Sequence, residues 1–393
     1  MKSKFKDLLI VLALSLIPTL LIWVPFILRL PEFWSIPLPV NGMQTIAANF
    51  DGPLYIVVAK TFYNTTLIKE GFSFPLQVQY YAAHFPFFPL LIWVAGTLLN
   101  LSFGNTFGFP WGMLTITLIT SVITIYYFKA FVSQYVHKKD LIWITFVFAV
   151  FPARWLIVRS VGTPEPLFIG AILASIFHFQ KKQYWASGIW GALAQLTKSP
   201  GILLFLAYGL YILLPSFKSL AITNFSKWTK TLPWGTYPII LIPMALLGTF
   251  YLYNIQYQDF FAYFNSGDNI HLLFPPFRIF DYSQPWTGTF WLEEVIFVYF
   301  LGALGIVKLY HKKLMLPFWF TLIFFTSTIF VTHRDIVRYS LPTMPFILVA
   351  FSDTIVKREF KIAFAAIIIP IYLFSLAFIA NNVMPISDWT PLI

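Results

Sequence analysis

Long apolar segments alternate with short polar ones along almost the whole chain. A helix that crosses a lipid bilayer needs about 20 apolar residues. The segments that approach this length are 7–30, 86–101, 110–130, 141–158, 164–179, 184–197, 201–215, 233–253, 289–309, 314–331, 340–356 and 361–380. Several are short, as tilted or broken helices are. The pattern predicts an all-α polytopic membrane protein with a bundle of about 11–12 transmembrane helices.

Two longer polar stretches interrupt this pattern, at 31–85 and 255–288. Both contain many Pro, Tyr, Phe and Trp residues, which favours packed loops and short interfacial helices over flexible linkers. No segment has the composition of a separate soluble domain. We therefore expect residues 1–393 to form one transmembrane domain.

The composition agrees with burial in lipid. Hydrophobic residues make up 59% of the chain and charged residues only 10%, whereas a soluble domain has about 25% charged residues. The net charge of +11 comes from basic residues scattered between apolar spans, which indicates cytoplasmic loops and anionic lipid headgroups rather than a nucleic-acid partner. The chain has no Cys, which excludes disulfides and thiol chemistry. We expect an integral membrane protein, in the plasma membrane if the source is prokaryotic.

Basic loops predict the orientation of the spans. Because Lys and Arg are enriched on the cytoplasmic side, the basic stretches at 181–182, 218–230, 308–313 and 357–361 are predicted to be cytoplasmic. The loops 31–85, 154–165, 198–200, 255–288 and 332–338 then lie on the external face. One conflict arises, because two segments separate the external loop 31–85 from the basic loop 137–139, where an odd number is required. Either 86–101 does not cross fully, or 137–139 breaks the bias.

Ionisable residues concentrate on the predicted external face, where each is a functional candidate because burial of charge is costly. Asp51 precedes Gly52-Pro53, so it is either a helix cap or a carboxylate base. His84 stands before a proline-rich span entry, as a solvated residue or as a ligand to substrate. Glu165 opens a span, as a capping carboxylate or as part of a site, and Arg154 and Arg159 are its expected partners.

Further cations lie on the same face. Lys198 is either a snorkelling lysine or a ligand-binding residue. The long loop carries Asp259, Asp268, His271, Arg278 and Asp281. The segment 332–338 holds His333, Arg334 and Arg338, and its basic charge on the external face favours an anionic ligand such as phosphate.

Some chemistries leave no trace in the sequence. It contains no phosphate-binding Gly-rich loop with Lys, no dinucleotide fingerprint and no His-Glu-x-x-His motif. The external carboxylates show no metal-ligand spacing. We therefore predict neither a metal nor a cofactor.

Five segments, in order along the chain, resemble the PIG-V-type mannosyltransferases of the GT-C superfamily. They are Phe50-Asp51 with Tyr55, Phe85-Pro86-Phe87-Phe88-Pro89-Leu90, Pro152-Ala153-Arg154 followed by Thr163-Pro164-Glu165-Pro166-Leu167-Phe168, Gly188 to Gly201 with Ala194, Thr197 and Lys198, and Arg338-Tyr339 with Pro345. The chain departs from the family pattern in having Phe50 for Trp, Pro164 before the Glu, and Lys198 for Arg.

The resemblance implies a GT-C-like bundle and a reaction. A hexose, mannose in that family, would pass from a polyprenyl-phosphate donor to a hydroxyl of a glycan or glycolipid acceptor on the external face. Asp51 would be the base and Glu165 a second catalytic carboxylate. The residues that would bind substrate are Tyr55, His84, Arg154, Arg159, Lys198, His271 and Arg278. Those that would bind the donor phosphate are His333, Arg334 and Arg338.

Two other functions share this layout. A transporter or flippase of lipid-linked sugars also needs external cations and a lipid groove, but it typically has charges near mid-span and paired broken helices. A ligase of lipid-linked glycans uses the same lipid phosphate and moves larger groups. Here the charges gather at span ends on one face, which favours an interfacial enzyme.

Overall fold

The computed structural model describes residues 2–103, 108–220, 232–267, 272–281, 283 and 291–393. Within these ranges the fold is almost entirely helical, which confirms the all-α prediction. The α-helices are α1 Lys2–Ile27, α2 Met43–Ala47, α3 Gly52–Thr61, α4 Thr65–Gly71, α5 Phe87–Phe103, α6 Gly108–Val132, α7 Leu141–Val150, α8 Ala153–Val158, α9 Glu165–Gln180, α10 Tyr184–Thr197, α11 Ile202–Leu220, α12 Leu241–Tyr257, α13 Trp291–His311, α14 Met315–Thr328, α15 Ile336–Ser340, α16 Met344–Ala350, α17 Ser352–Ile355 and α18 Arg358–Asn381. A small antiparallel hairpin joins β1 Glu32–Phe33 to β2 Ile36–Pro37.

Several of these helices suit a bilayer. Among the described residues, those long and apolar enough to cross one are Phe5–Ile27, Gly108–Val132, Trp234–Tyr257 and Arg358–Asn381. Shorter apolar helices, such as Glu165–Gln180, accompany them. A 16-residue helix is only about 24 Å long, so these shorter elements suit broken or partial spans. The total of 11–12 crossings stays a prediction.

One end of the molecule carries basic residues. Lys129 in α6 forms an ion pair with Asp7 in α1, with 2.8 Å between Nζ and Oδ1. Just beyond α6, the Gln134 amide donates a hydrogen bond to Gln180, the last residue of α9. The start of α1 and the ends of α6 and α9 therefore meet at one end, which we call the basic end. The loops at 137–139 and 181–182 adjoin it.

Helix α5 does not run to the basic end. Its start packs against the start of α3, with the Phe88 and Tyr55 ring centroids 5.2 Å apart. Helix α6 begins at the other end of α3, where Lys60 lies 5.0 Å from the centroid of the Phe109 ring. Helix α5 thus runs alongside α3, and of the two helices α5 and α6 it is α6 that extends from this region to the basic end. This placement favours the first of the two alternatives, in which 86–101 does not cross fully.

Helix α9 is the central element of the core. Every residue from Glu165 to Ile176 is buried, as expected for a helix that is apolar on all sides. The Thr124 hydroxyl of α6 donates a hydrogen bond to the Pro166 carbonyl, and a Cβ at Gly170 would meet that hydroxyl oxygen at 2.5 Å. This close packing of α6 and α9 holds the first turn of α9, and with it Glu165, in a fixed place.

The first long polar stretch, 31–85, is well packed. Nearly every residue of α3 is buried, and the tail that follows α18 covers the α2–α3 junction. There the Met384 amide donates a hydrogen bond to the Ala48 carbonyl, and Asn49 pairs with Val383 in an antiparallel bridge. These contacts position Asp51, which lies between α2 and α3. The assignment of residues 1–393 to one domain stays a prediction.

Candidate functional site

A cavity of about 440 Å³ lies where α3, α9, α15 and the α10–α11 connection meet. Its polar wall contains Asp51, His84, Glu165, Lys198 and Arg338. Its other walls are largely apolar and aromatic, and include Phe168, Leu203, Leu246, Phe250, Phe264 and Phe324. We call it the apolar cavity. It brings together residues that are far apart in the sequence.

Glu165 binds two cations at once. Its Oε1 accepts a hydrogen bond from Lys198 Nζ at 2.8 Å and another from Arg338 Nε at 2.8 Å. Glu165 and Arg338 are buried, and the Lys198 side chain is 20% exposed. Two cations against one carboxylate leave this cluster with one positive charge. We call it the charge cluster.

These contacts correct the pairing expected from the sequence. Arg154 and Arg159 were the expected partners of Glu165, but Lys198 and Arg338 take that place. Chain geometry explains the choice. Lys198 follows α10 in an extended conformation that ends the helix, and Arg338 lies in α15, at the end of the predicted external loop 332–338.

Asp51 does not cap α3 with its side chain. It occupies the capping position, but only its backbone carbonyl accepts hydrogen bonds, from the amides of Leu54 and Tyr55. Its carboxylate lines the cavity and is partly exposed. The residue before it, Phe50, adopts a left-handed conformation (φ 50°), which is rare for a bulky side chain and makes the chain turn sharply here. The carboxylate is therefore available to a ligand.

Aromatic rings surround His84 on the wall of the apolar cavity. The ring is 3% exposed and its centroid lies 4.6 Å from that of Tyr55, edge to face. Its backbone carbonyl accepts a hydrogen bond from the Tyr63 hydroxyl. His84 is thus a buried side chain rather than the solvated one that the sequence also allowed.

A second cavity of about 540 Å³ adjoins the first. The two share Asp51, Tyr80, Arg338 and Tyr339. The remaining wall of the second is more polar, and it includes Arg154, His333, Arg334, Asp335, Asn381 and Asn382. We call it the polar cavity. Asp51 and Arg338 therefore lie at the junction of an apolar and a polar compartment.

The junction is built on stacked rings. The Arg338 guanidinium carbon lies 4.1 Å from the centroid of the Phe50 ring, and that of Arg154 lies 3.9 Å from the centroid of the Phe378 ring. The two rings are 5.7 Å apart. Each guanidinium thus stacks on an aromatic face, an arrangement that leaves its in-plane N–H groups for other partners.

Two of the described candidates, Arg159 and Arg278, line neither cavity. Arg159 is fully buried and donates hydrogen bonds to the backbone carbonyls of Ser15 and Ala149, so it joins α1 to the end of α7. Arg278 lies 3.8 Å from Asp281. Hydrogen bonds from the backbone and hydroxyl of Ser283 lower the pKa of Asp281, which keeps it ionised for this pair. His271, with Asp268, lies outside the described residues.

The donor-phosphate candidates divide between the cavities. Arg338 borders both, whereas His333 and Arg334 line only the polar cavity. His333 accepts a hydrogen bond at Nδ1 from the Asp335 amide, and Arg334 is exposed. Lys198, by contrast, lines only the apolar cavity.

Sequence reasoning missed several residues of the site. Phe378 lies within the last apolar helix, and Tyr80 and Tyr263 lie in aromatic loops, so none of the three stands out in this chain. The Tyr263 hydroxyl donates a hydrogen bond to Ser199, the neighbour of Lys198. Within the part of the chain that the structure describes, no three His, Asp or Glu side chains are grouped to hold a metal ion. The absence of a metal stays a prediction.

No protein-family model matches the chain, and no curated protein matches its sequence. Solved structures match its fold. ArnT from Cupriavidus metallidurans in the apo state gives a TM-score of 0.52 at 12% identity, over 86% of this chain and 72% of that one. ArnT bound to undecaprenyl phosphate gives 0.50, with the same identity and coverage.

The archaeal oligosaccharyltransferase AglB from Archaeoglobus fulgidus, in complex with an inhibitory peptide and a dolichol-phosphate, gives a TM-score of 0.50 at 14% identity. The match covers 96% of this chain but 57% of AglB, so the chain spans little more than half the length of that protein. The chain therefore shares its fold with these ArnT and AglB structures.

Proposed function

We propose that the chain is a glycosyltransferase that moves a hexose from a polyprenyl-phosphate donor to a hydroxyl of a glycan or glycolipid acceptor. The transfer takes place on the membrane face opposite the basic end. The observation that carries this proposal is the position of Asp51. Its carboxylate does not cap α3, and it lines the same cavity as the positively charged cluster of Lys198, Glu165 and Arg338. Mannose as the sugar rests on the resemblance to the PIG-V-type enzymes.

The apolar cavity suits the donor. Its aromatic and aliphatic walls match a prenyl chain entering from the bilayer. A sugar phosphodiester carries one negative charge, which balances the single positive charge of the cluster. The structures of ArnT with undecaprenyl phosphate and of AglB with a dolichol-phosphate support a lipid phosphate as the ligand of this fold.

The reaction is an inverting displacement at the anomeric carbon. Asp51 accepts the proton of the acceptor hydroxyl, whose oxygen forms a bond to that carbon. The bond from the anomeric carbon to the phosphate oxygen breaks, and its electron pair stays on the phosphate. Lys198 and Arg338 stabilise the charge that grows there. Glu165 holds both cations through one oxygen, so its role is positioning rather than proton transfer. The products are the glycosylated acceptor and polyprenyl phosphate.

The substitution Asp51→Asn tests this proposal. It preserves shape and removes the base, so the transfer rate should fall by about 10²–10⁴-fold. The assay follows radiolabelled hexose from polyprenyl-phosphate hexose into acceptor in reconstituted vesicles. Asp388→Asn is the matched control, because Asp388 is exposed in the tail and only caps the Thr390 amide.

The same assay separates transfer from transport and ligation. A transferase releases one polyprenyl phosphate for each hexose attached. Movement of intact donor across the vesicle membrane without attachment would favour the transporter, and transfer of a preassembled glycan in preference to a single hexose would favour the ligase. Full activity in Asp51→Asn would remove Asp51 from the mechanism.

A further inference from the structure

We infer that the polar cavity binds an anionic group of the acceptor, a phosphate or carboxylate near the hydroxyl that is glycosylated. This inference rests on the proposed function, because it takes the apolar cavity as the donor site. It replaces the donor-phosphate role that the sequence predicted for His333 and Arg334. Its basis is a pair of arginines on one wall: Arg154 has buried nitrogen atoms without hydrogen-bond partners, and Arg334 is exposed.

Arg154 is the first of these cations. Its side chain is 4% exposed, yet neither Nε nor Nη1 has a hydrogen-bond partner. Nε forms an ion pair with Asp335 Oδ1 at 3.1 Å, but neither of these two atoms has a hydrogen-bond partner. A buried guanidinium without its hydrogen bonds is costly. An anion with several oxygens in the adjoining cavity would satisfy it.

The stacking of Arg154 keeps it in place for such a ligand. Phe378 covers one face of the guanidinium at 3.9 Å, which restrains the side chain without using its N–H groups. Arg338 stacks in the same way on Phe50, at the other side of the ring pair. Planar guanidinium groups bind phosphate and carboxylate oxygens two at a time.

Arg334 supplies the accessible charge. It lines the polar cavity and is exposed, so it can meet a ligand that arrives from water or from the membrane surface. The acidic residues of this wall are Asp51 and Asp335. Glu294 also acts on Arg154 electrostatically, but it is exposed and lines neither cavity. Arg338 is already paired with Glu165. What the wall offers an anion is therefore the buried Arg154 nitrogen atoms that lack hydrogen-bond partners and the exposed charge of Arg334.

The position of Asp51 connects the anion to the reaction. A base at the junction must reach the acceptor hydroxyl, and the acceptor approaches from the side opposite to the donor phosphate in an inverting displacement. With the donor in the apolar cavity, the acceptor occupies the polar one. Its anionic group then lies on the wall formed by Arg154 and Arg334.

Binding of defined probes to the full chain tests this inference. The protein is placed in neutral phosphatidylcholine nanodiscs, and affinity is measured from thermal stabilisation. Glycerol phosphate and phosphatidylglycerol are the anionic probes, glycerol and diacylglycerol the neutral ones, and undecaprenyl phosphate is the donor-lipid probe. We expect at least one anionic probe to bind and both neutral probes to fail. Binding of glycerol phosphate would identify the ligand as a soluble anion. Binding of phosphatidylglycerol but not of glycerol phosphate would identify it as a lipid headgroup.

Two variants identify the site. Arg334→Gln should weaken the anionic probe about tenfold or more, the equivalent of one charge-assisted contact, and leave undecaprenyl phosphate unchanged. Arg154→Lys keeps the charge but loses the planar fork, and it should weaken the same probe. The matched control is Arg358→Gln. Arg358 is an exposed arginine at the start of α18 that lines neither cavity, so this variant should behave like the wild type.

The outcomes are distinct. Failure of both anionic probes to bind, or loss of undecaprenyl phosphate affinity alone in Arg334→Gln, would overturn the inference, because the second result would make Arg334 a donor ligand. Failure of the wild type to bind undecaprenyl phosphate counts against the proposed donor instead, whichever way the anionic probes behave.

Discussion

Glu165 is the residue on which the charge cluster depends, because two cations share its Oε1. In Glu165→Gln, Lys198 and the buried Arg338 would lose their counter-ion. Breaking a buried ion pair from one side costs about 3–5 kcal/mol. We therefore expect the purified variant to unfold at a clearly lower temperature than the wild type, as measured by thermal denaturation in detergent.

A second substitution checks the cause. Lys198→Met in the Glu165→Gln background removes one of the two uncompensated charges, so the double variant should recover part of the lost stability. Equal unfolding temperatures for Glu165→Gln and the wild type would mean that the pairing contributes nothing to the fold.

Single residues also show how far the sequence could lead. Asp51, Glu165, Lys198 and Arg338 were noticeable because charges are rare in so apolar a chain, and all four line the apolar cavity. Their pairing was not predictable. Arg154 and Arg159 look alike in sequence, but one lines the polar cavity and the other binds the backbone of α1 and α7. Only the three-dimensional path of the chain separates them.

At the scale of helices, the contact between α5 and α6 can be tested through glycine. A Cβ at Gly112 would lie 2.6 Å from the backbone nitrogen of Gly96, so Gly112→Ala must push the two helices apart. Such overpacking costs about 1–3 kcal/mol. Gly209→Ala is the matched control, because a Cβ there meets nothing within 4 Å.

The two alanine substitutions should therefore change the unfolding temperature in different ways. Gly112→Ala should lower the unfolding temperature, and Gly209→Ala should leave it unchanged or raise it, since alanine favours a helix over glycine by up to about 1 kcal/mol. Equal unfolding temperatures for the two variants would show that α5 and α6 are not in close contact.

Helix boundaries show which elements hydropathy could not separate. The apolar run 141–158 predicted one span, but it forms α7 and α8, which are divided at Pro152. The run 340–356 is likewise divided, with Pro342 and Pro345 inside it. An apolar count does not register that proline lacks the amide hydrogen which helix continuation requires. These breaks matter, because Arg154 directly follows the break at Pro152 and Arg338 directly precedes the break at Pro342 and Pro345.

At the scale of the whole molecule, the sequence predicted a helical membrane fold with charges on one face. It did not predict that the charges would line two adjoining cavities. That division depends on contacts of the α2–α3 region with α15 and the tail after α18, which lie hundreds of residues later in the sequence. The wall of the polar cavity includes Phe50 and Phe378, whose rings are 5.7 Å apart, and no local sequence pattern predicts that contact.

The orientation of the molecule gives a last prediction. Helix α18 has 24 residues, about 36 Å at 1.5 Å per residue, which is enough to cross the hydrocarbon core. It leads to the tail beside Asp51, so the cavities and the basic end should face opposite sides of the membrane. Since the chain has no cysteine, single cysteines at exposed Ser387 and Lys181 can report each side. An impermeant maleimide should label Ser387→Cys in intact cells and Lys181→Cys only after permeabilisation, with the cysteine-free parent as the control. Labelling of both cysteines in intact cells would place the two ends on one face of the membrane. Labelling of Lys181→Cys alone in intact cells would put the transfer reaction on the cytoplasmic face, contrary to the positive-inside rule.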